Sequence, residues 1–171
     1  NDGIKPGQPW KNGPVPKDKA IYGLGPIEIT VSYFDKFKQI LEEIYGMRTI
    51  DVGKDVVLLE VGDGGNGGQV ILRHDTNTPS AVQGYGEVHH VSFRVKDHAA
   101  IQTWIEKYNT IGIQNSGLVD RFYFEALYAR IGHILIEVST DGPGFMGDEP
   151  YETLGEKLSL PPFLEGQRKY I

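Results

Sequence analysis

Two side chains in the second half of the chain have the chemistry of metal ligands, the imidazole of His90 and the carboxylate of Glu137. Imidazole and carboxylate together suit iron, manganese or zinc. Each lies in a stretch that alternates apolar and polar residues, the pattern of a half-buried strand. Around His90, the residues Val91, Phe93 and Val95 form the apolar face, while His90, Ser92 and Arg94 point the other way. In the later stretch Ile134, Ile136 and Val138 form one face and Leu135, Glu137 and Ser139 the other. Two potential ligands therefore sit on polar faces of two strands. Alternation alone leaves a second reading open, because a strand His is commonly a hydrogen-bonded structural residue and a strand Glu a solvated one.

The elements that must position this pair occur twice. Ile27, Ile29 and Val31 alternate with Glu28 and Thr30 as a strand, and Phe34, Phe37, Ile40, Leu41 and Ile44 then recur at helical spacing until Gly46. Val56–Val61 and Gln69–Arg73 read as strands around a glycine-rich hairpin loop, Gly62–Gly68. That loop lacks the Lys-Ser/Thr ending of a phosphate loop. The order recurs with a strand over Val88–Val95, a helix face of Ile101, Trp104, Ile105, Tyr108 and Ile111, and strands over Phe122–Arg130 and His133–Ser139. Pro26 and His90 stand 64 positions apart, and so do Arg73 and Glu137, with Phe37 over Ile101 and Leu41 over Ile105 at the same offset. The expected fold class is α+β, with two βαβββ modules forming a curved, largely antiparallel sheet and helices on its convex side. The first module is an internal control, because its Pro26 and Arg73 cannot ligate a metal.

The chain has 171 residues, 39% hydrophobic and 23% charged, an ordinary globular balance with room for a core. A net charge of −6 argues against a sequence-independent grip on nucleic acid. No apolar run approaches the roughly 20 residues that span a bilayer, so no membrane partner is expected. The absence of cysteine excludes disulfides and thiolate chemistry and fits a cytoplasmic setting. Residues 5–16, with Pro6, Pro9, Pro14 and Pro16, read as part of a linker or arm over 1–20, anchored by Trp10. The module without ligands is placed at 21–83, the module with ligands at 84–145 and a tail at 146–171. The start at Asn1, with Pro and Gly close behind, reads as a cut inside a longer protein.

The stretches Glu87-Val-His-His-Val-Ser-Phe-Arg-Val95 and Ile136-Glu-Val-Ser-Thr-Asp-Gly-Pro-Gly-Phe145 resemble the vicinal-oxygen-chelate superfamily of glyoxalases, bleomycin resistance proteins and extradiol dioxygenases. Asp120–Arg130 and Leu154–Pro162 are similar to its ring-cleaving dioxygenases that act on hydroquinones. Those proteins have four βαβββ modules, and this chain matches the third and fourth. The resemblance implies Fe(II) or Mn(II) held by two His and one Glu. His90 and Glu137 are then two ligands, and the third, a His, belongs to the first module, outside this chain. It also implies that Arg121 holds an anionic substrate oxygen, that Tyr128 stabilises it or moves a proton, and that His89 stands behind His90.

Strict alternation puts Arg121 and Tyr128 on opposite faces unless a bulge intervenes, and puts His89 beside Val91. His74, His98 and His133 read as surface residues. The expected activity is opening of a small aromatic substrate with O2, by this chain together with the amino-terminal half of the parent protein. The isolated chain is expected to be inactive and to self-associate as a homo-oligomer. A glyoxalase-like isomerase or lyase and a metal-free, resistance-type binding module are the alternatives on the same fold.

Overall fold

A computed structural model describes residues 9–11 and 13–171. The chain divides into two compact units, residues 1–80 and Ala81–Ile171. In the first unit, strand β1 (Ile27–Val31) leads into helix α1 (Phe34–Glu43), followed by β2 (Arg48–Val52), β3 (Val56–Glu60) and β4 (Gln69–His74). In the second, β5 (Val91–Val95) leads into α2 (His98–Thr110), followed by β6 (Val119–Asp120), β7 (Phe124–Ile131) and β8 (Ile134–Pro143). Each unit has its own four-stranded sheet, ordered β1-β4-β3-β2 and β5-β8-β7-β6. In both, the first strand pairs in parallel with the last and the other pairings are antiparallel. Both units are thus βαβββ modules of a mixed α+β fold, and of their strands the sequence pattern missed only β2 and β6.

The apolar positions that predicted these elements form their cores. Phe37 and Leu41 of α1 are buried with Val57, Leu59, Val70 and Leu72 of the sheet. Ile101 and Tyr108 of α2 are buried with Leu127, Ile136 and Val138. Full burial of one such side chain stabilises by about 1.5–3 kcal/mol. Gly46, at φ 67°, ends α1 by letting Met47 N–H reach the Leu41 carbonyl at 3.0 Å. Asp97 caps α2 by accepting from the Ala100 N–H at 3.1 Å. Ile111 lies past the end of α2 and is exposed, so the helix face stops at Tyr108. Lys17–Lys19 form a single 3-10 turn before β1. Trp10 is 58% exposed, so the expected anchor of the arm is not buried, and residues 1–8 and 12 of the arm lie outside the described ones. No helix among the described residues is long and apolar enough to cross a membrane.

One expectation about the repeat fails instructively. Offset 64 holds for the first strand, since β1 begins after Pro26 and β5 after His90. It does not hold for the last. Ile27 pairs with Val70, but Val91 pairs with Ile136, two positions beyond the matching residue. The residue opposite Glu28 is Ile71 and the residue opposite Ser92 is Glu137, so Ile71, not Arg73, is the partner of Glu137 in the repeat. The slip comes from unequal connections. α2 is longer than α1, whereas the β3–β4 loop runs over 61–68 and the β7–β8 turn is only Gly132-His133.

Candidate metal centre

Glu137 lies on β8, between β5 and β7, and is reached by side chains associated with both neighbours. His90 Nε2 is 2.6 Å from Glu137 Oε2. From the β7 side the Tyr128 hydroxyl donates to Glu137 Oε1 at 3.0 Å. Tyr128 and Glu137 are directly opposite in the antiparallel ladder. Glu137 is 3% exposed, one of two buried polar residues in the described chain. A carboxylate taken out of water is costly unless hydrogen-bonded, and here each oxygen has its own partner.

All five residues named from the sequence are joined in one hydrogen-bonded chain. Arg121 Nε donates to the Tyr128 hydroxyl at 3.2 Å, and its guanidinium lies 5.2 Å from the centre of that ring. His89 Nδ1 and His90 Nδ1 are 2.8 Å apart. Burial raises the Tyr128 hydroxyl above the ordinary phenol range, and the Glu137 carboxylate adds to the rise, while the hydrogen bond from Arg121 opposes it. Tyr128 is therefore held as a protonated donor.

Two expectations from strict alternation are corrected. β5 begins at Val91, so His89 precedes the strand and is exposed, not packed beside Val91. Arg121 is not on β7. It stands in the turn between β6 and β7, and the register of β7 on β8 shifts between Phe124 and Ala126, so the turn brings Arg121 to Tyr128. His98 is at the surface, as expected, but it has a partner there. Its Nδ1 is 2.9 Å from both Glu125 oxygens, beside an open groove of about 480 Å³ that Phe122 and Phe124 also line. His74 lies 5.8 Å from the Phe34 ring.

Sequence reasoning missed that the polar faces of β5 and β8 meet in successive diagonal contacts, each two residues beyond the backbone register. Beyond His90–Glu137, the Ser92 and Ser139 hydroxyls are 2.7 Å apart and Arg94 pairs with Asp141. A parallel pairing of the two alternating stretches was the available signal.

The donor set fits a first-row metal. An imidazole nitrogen and a carboxylate oxygen already touch, and joint coordination at about 2.0–2.2 Å needs them to part only slightly. The second nitrogen of His90 faces His89, an outer partner of the kind that fixes the tautomer of a ligating imidazole. Among the described residues, no group of three or more His, Asp or Glu could hold a metal, and the pair offers two donors.

The chain is 41% identical over 171 residues to a Bacillus subtilis (strain 168) protein named ring-cleaving dioxygenase MhqA, covering 96% of this chain and 54% of that protein. Two further B. subtilis proteins named ring-cleaving dioxygenases, MhqO and MhqE, are 37% and 34% identical. The chain spans about half the length of the curated relatives it matches. Among solved structures, one described as a dioxygenase from B. subtilis superposes with a TM-score of 0.83 at 35% identity, covering 98% of this chain and 55% of that one. A glyoxylase/bleomycin resistance protein/dioxygenase domain from Frankia sp. EAN1pec has a TM-score of 0.57 at 16% identity over 69% of this chain and 96% of that one, a likeness of fold alone. No family model matches the chain. Two βαβββ modules and the likeness to the dioxygenase structure give the chain the vicinal-oxygen-chelate fold, and its sequence is similar to proteins named ring-cleaving dioxygenases.

Proposed function

We propose that the chain supplies two of the three protein ligands of a non-haem Fe(II) dioxygenase that opens hydroquinone- or catechol-like rings. His90 and Glu137 are those ligands. The third, a His, comes from an amino-terminal half of the parent protein. The observation that carries this reading is the 2.6 Å contact of His90 Nε2 with a buried Glu137 whose other oxygen is held by Tyr128. Bound iron would supply adjacent positions for an aromatic hydroxylate and O2.

The chain's own residues then have distinct tasks. Glu137 neutralises part of the metal charge, and the Tyr128 hydrogen bond fixes which of its oxygens faces His90. His89 faces the Nδ1 of His90, leaving Nε2 for the metal. Tyr128, kept protonated by burial, can donate to a substrate oxygen that approaches the pair. Arg121 places a fixed positive charge behind that hydroxyl and suits a substrate oxyanion.

The test joins the chain, covalently or in trans, to the amino-terminal half under anaerobic conditions and measures iron content and oxygen uptake with hydroquinones. The combined protein is expected to hold one Fe(II) and consume O2, and the isolated chain to do neither. Tight Fe(II) binding with oxygen uptake by the isolated chain would overturn the split site.

A further inference from the structure

We infer that Tyr123 is a positioning residue: gripped by Phe145 and Asp148 of the segment that follows β8, it fixes the turn that delivers Arg121 to Tyr128. The proposal rests on the reading of Tyr128 and Arg121 as substrate-facing groups, but its geometry stands without a metal.

Three residues connect β6 to β7, and each goes a different way. Arg121 reaches toward Tyr128, with Nε 3.2 Å from its hydroxyl. Phe122 has φ 68°, a left-handed conformation that is an outlier for a bulky residue and is retained only where its surroundings enforce it. Tyr123 is buried. The turn is closed by short local bonds, from Arg121 N–H to the Phe124 carbonyl at 2.9 Å and from Tyr123 N–H to the Arg121 carbonyl at 2.8 Å. Asp120 Oδ1 accepts from the Phe122 N–H at 2.7 Å. These bonds shape the turn but do not attach it to anything beyond itself.

The attachment is made at Tyr123, by three different contacts with the segment that follows β8. Its hydroxyl donates to Asp148 Oδ2 at 2.5 Å. Its ring stacks on Phe145, with centroids 4.9 Å apart and planes 26° apart. Its carbonyl accepts from the Gly144 N–H at 2.7 Å. Arg121 is itself exposed, and a long side chain loses much rotamer freedom when held on one acceptor. Holding its root still lowers that cost, because the turn cannot swing the guanidinium away from the phenol. The Asp148 carboxylate pushes the Tyr123 hydroxyl up to about 12, so the donor is present throughout the neutral range.

The experiment compares the chain with Tyr123→Phe, Asp148→Ala and Asp148→Asn. It reads the Arg121 side-chain Nε–H by NMR hydrogen exchange, beside the backbone amides of β7 and β8. In Tyr123→Phe and Asp148→Ala the Arg121 Nε–H should exchange at least about tenfold faster while amides of β7 and β8 keep their protection. Asp148→Asn retains an oxygen acceptor and should restore most of the Arg121 protection. Unchanged Arg121 exchange in both disruptive variants would overturn the proposal. So would a loss of protection spread evenly over the unit, because Tyr123 would then be holding the fold and not the arginine. In the iron-loaded protein, Tyr123→Phe should raise KM for the aromatic substrate several-fold at unchanged kcat. A protein that never turns over defeats the dioxygenase reading alone, since the exchange measurement decides this inference without it.

Discussion

The two units share one framework and differ along a single strand pair. In the second unit, side chains of β5 and its leading residue meet those of β8 in three steps, His90 with Glu137, Ser92 with Ser139, and Arg94 with Asp141. By strand register, the matching positions in the first unit are Pro26 with Ile71, Glu28 with Arg73, and Thr30 with Asp75. There the middle step is an exposed ion pair, and the first step has no ionisable group at all. A strand pair of this shape therefore needs neither a His nor a Glu at its head. Proline is tolerated just before a strand because its missing N–H is not needed there. Glu137, by contrast, carries the desolvation cost of a buried carboxylate at a position where the sister unit does without one. A costly group that the scaffold does not require is the mark of a site.

The substitution with the largest expected effect is Glu137→Ala. It should weaken binding of Mn(II) or Fe(II) by at least about 100-fold in the protein carrying all three ligands, because a ligand matters more than the outer partners that already count for about 10–100-fold. Ile71→Ala, its counterpart in the first unit, should leave metal binding untouched. Calorimetric titration of both variants checks the contrast. Wild-type affinity in Glu137→Ala would end the assignment of this residue as a ligand.

A graft sharpens the comparison further. If strand register sets equivalence, Pro26→His with Ile71→Glu should create a weak second His–Glu pair in the first unit. Pro26→His with Arg73→Glu, the pair at constant sequence offset, should not. The first double variant is expected to bind Co(II) or Ni(II) at least about tenfold more tightly at the new position than the second. Equal affinity would mean that the two-residue slip has no bearing on where side chains meet.

This slip marks the boundary of what the sequence could reveal. Periodicity identified β1, α1, β3 and β4 and their counterparts because their apolar faces form the cores: Phe37, Leu41, Ile101 and Tyr108 are all buried where the helical spacing put them. It paired His90 with Glu137 because both stood on polar faces. It mispaired Arg73 because a constant offset assumes equal loops, and loop length carries no hydrophobic signal. His89 was misplaced because alternation says nothing about where a strand begins. Arg121 reaches Tyr128 through a turn with a left-handed phenylalanine, which no residue type announces. The contacts at Tyr123 join segments whose pairing follows from no periodicity. β2 escaped notice because its Ile50 and Val52 are exposed, so it shows no strong apolar face, and β6 because it is only two residues long.

Tyr128→Phe has an intermediate expected effect. It removes the donor to Glu137 Oε1 and the acceptor of Arg121 while leaving both ligands in place. Turnover should fall about 10–100-fold with metal content nearly unchanged. The residue opposite Ile71 in the first unit is Leu58, so no comparable hydroxyl exists there to be removed. Parallel loss of iron and turnover, measured on the same preparation, would make Tyr128 a support of the ligand geometry and not a participant.

The smallest effect belongs to the Glu28–Arg73 pair, where the first unit has charge and the second has two serines. Both partners are nearly half exposed, so solvent screens their attraction. Glu28→Gln should shift Tm by no more than about 2 °C at neutral pH. Its pH dependence has a definite sign. The hydrogen bond from Arg73 holds the Glu28 carboxyl below its ordinary value of 4.5, so the folded state binds this proton less readily than the unfolded one. The contribution is then fully present above about pH 4.5 and fades as pH falls through the lower, folded value. The Tm difference between wild type and Glu28→Gln should be constant from neutrality to about pH 5.5 and shrink in more acid solution, and 1 M salt should reduce it throughout. Ser92→Ala, at the matching rung of the second unit, removes no ionisable group and should show no such acid-dependent change of its own. Thermal melts of the three proteins across this range decide it. A Glu28→Gln difference that stays flat into acid would show that the carboxylate contributes through packing and not through its charge.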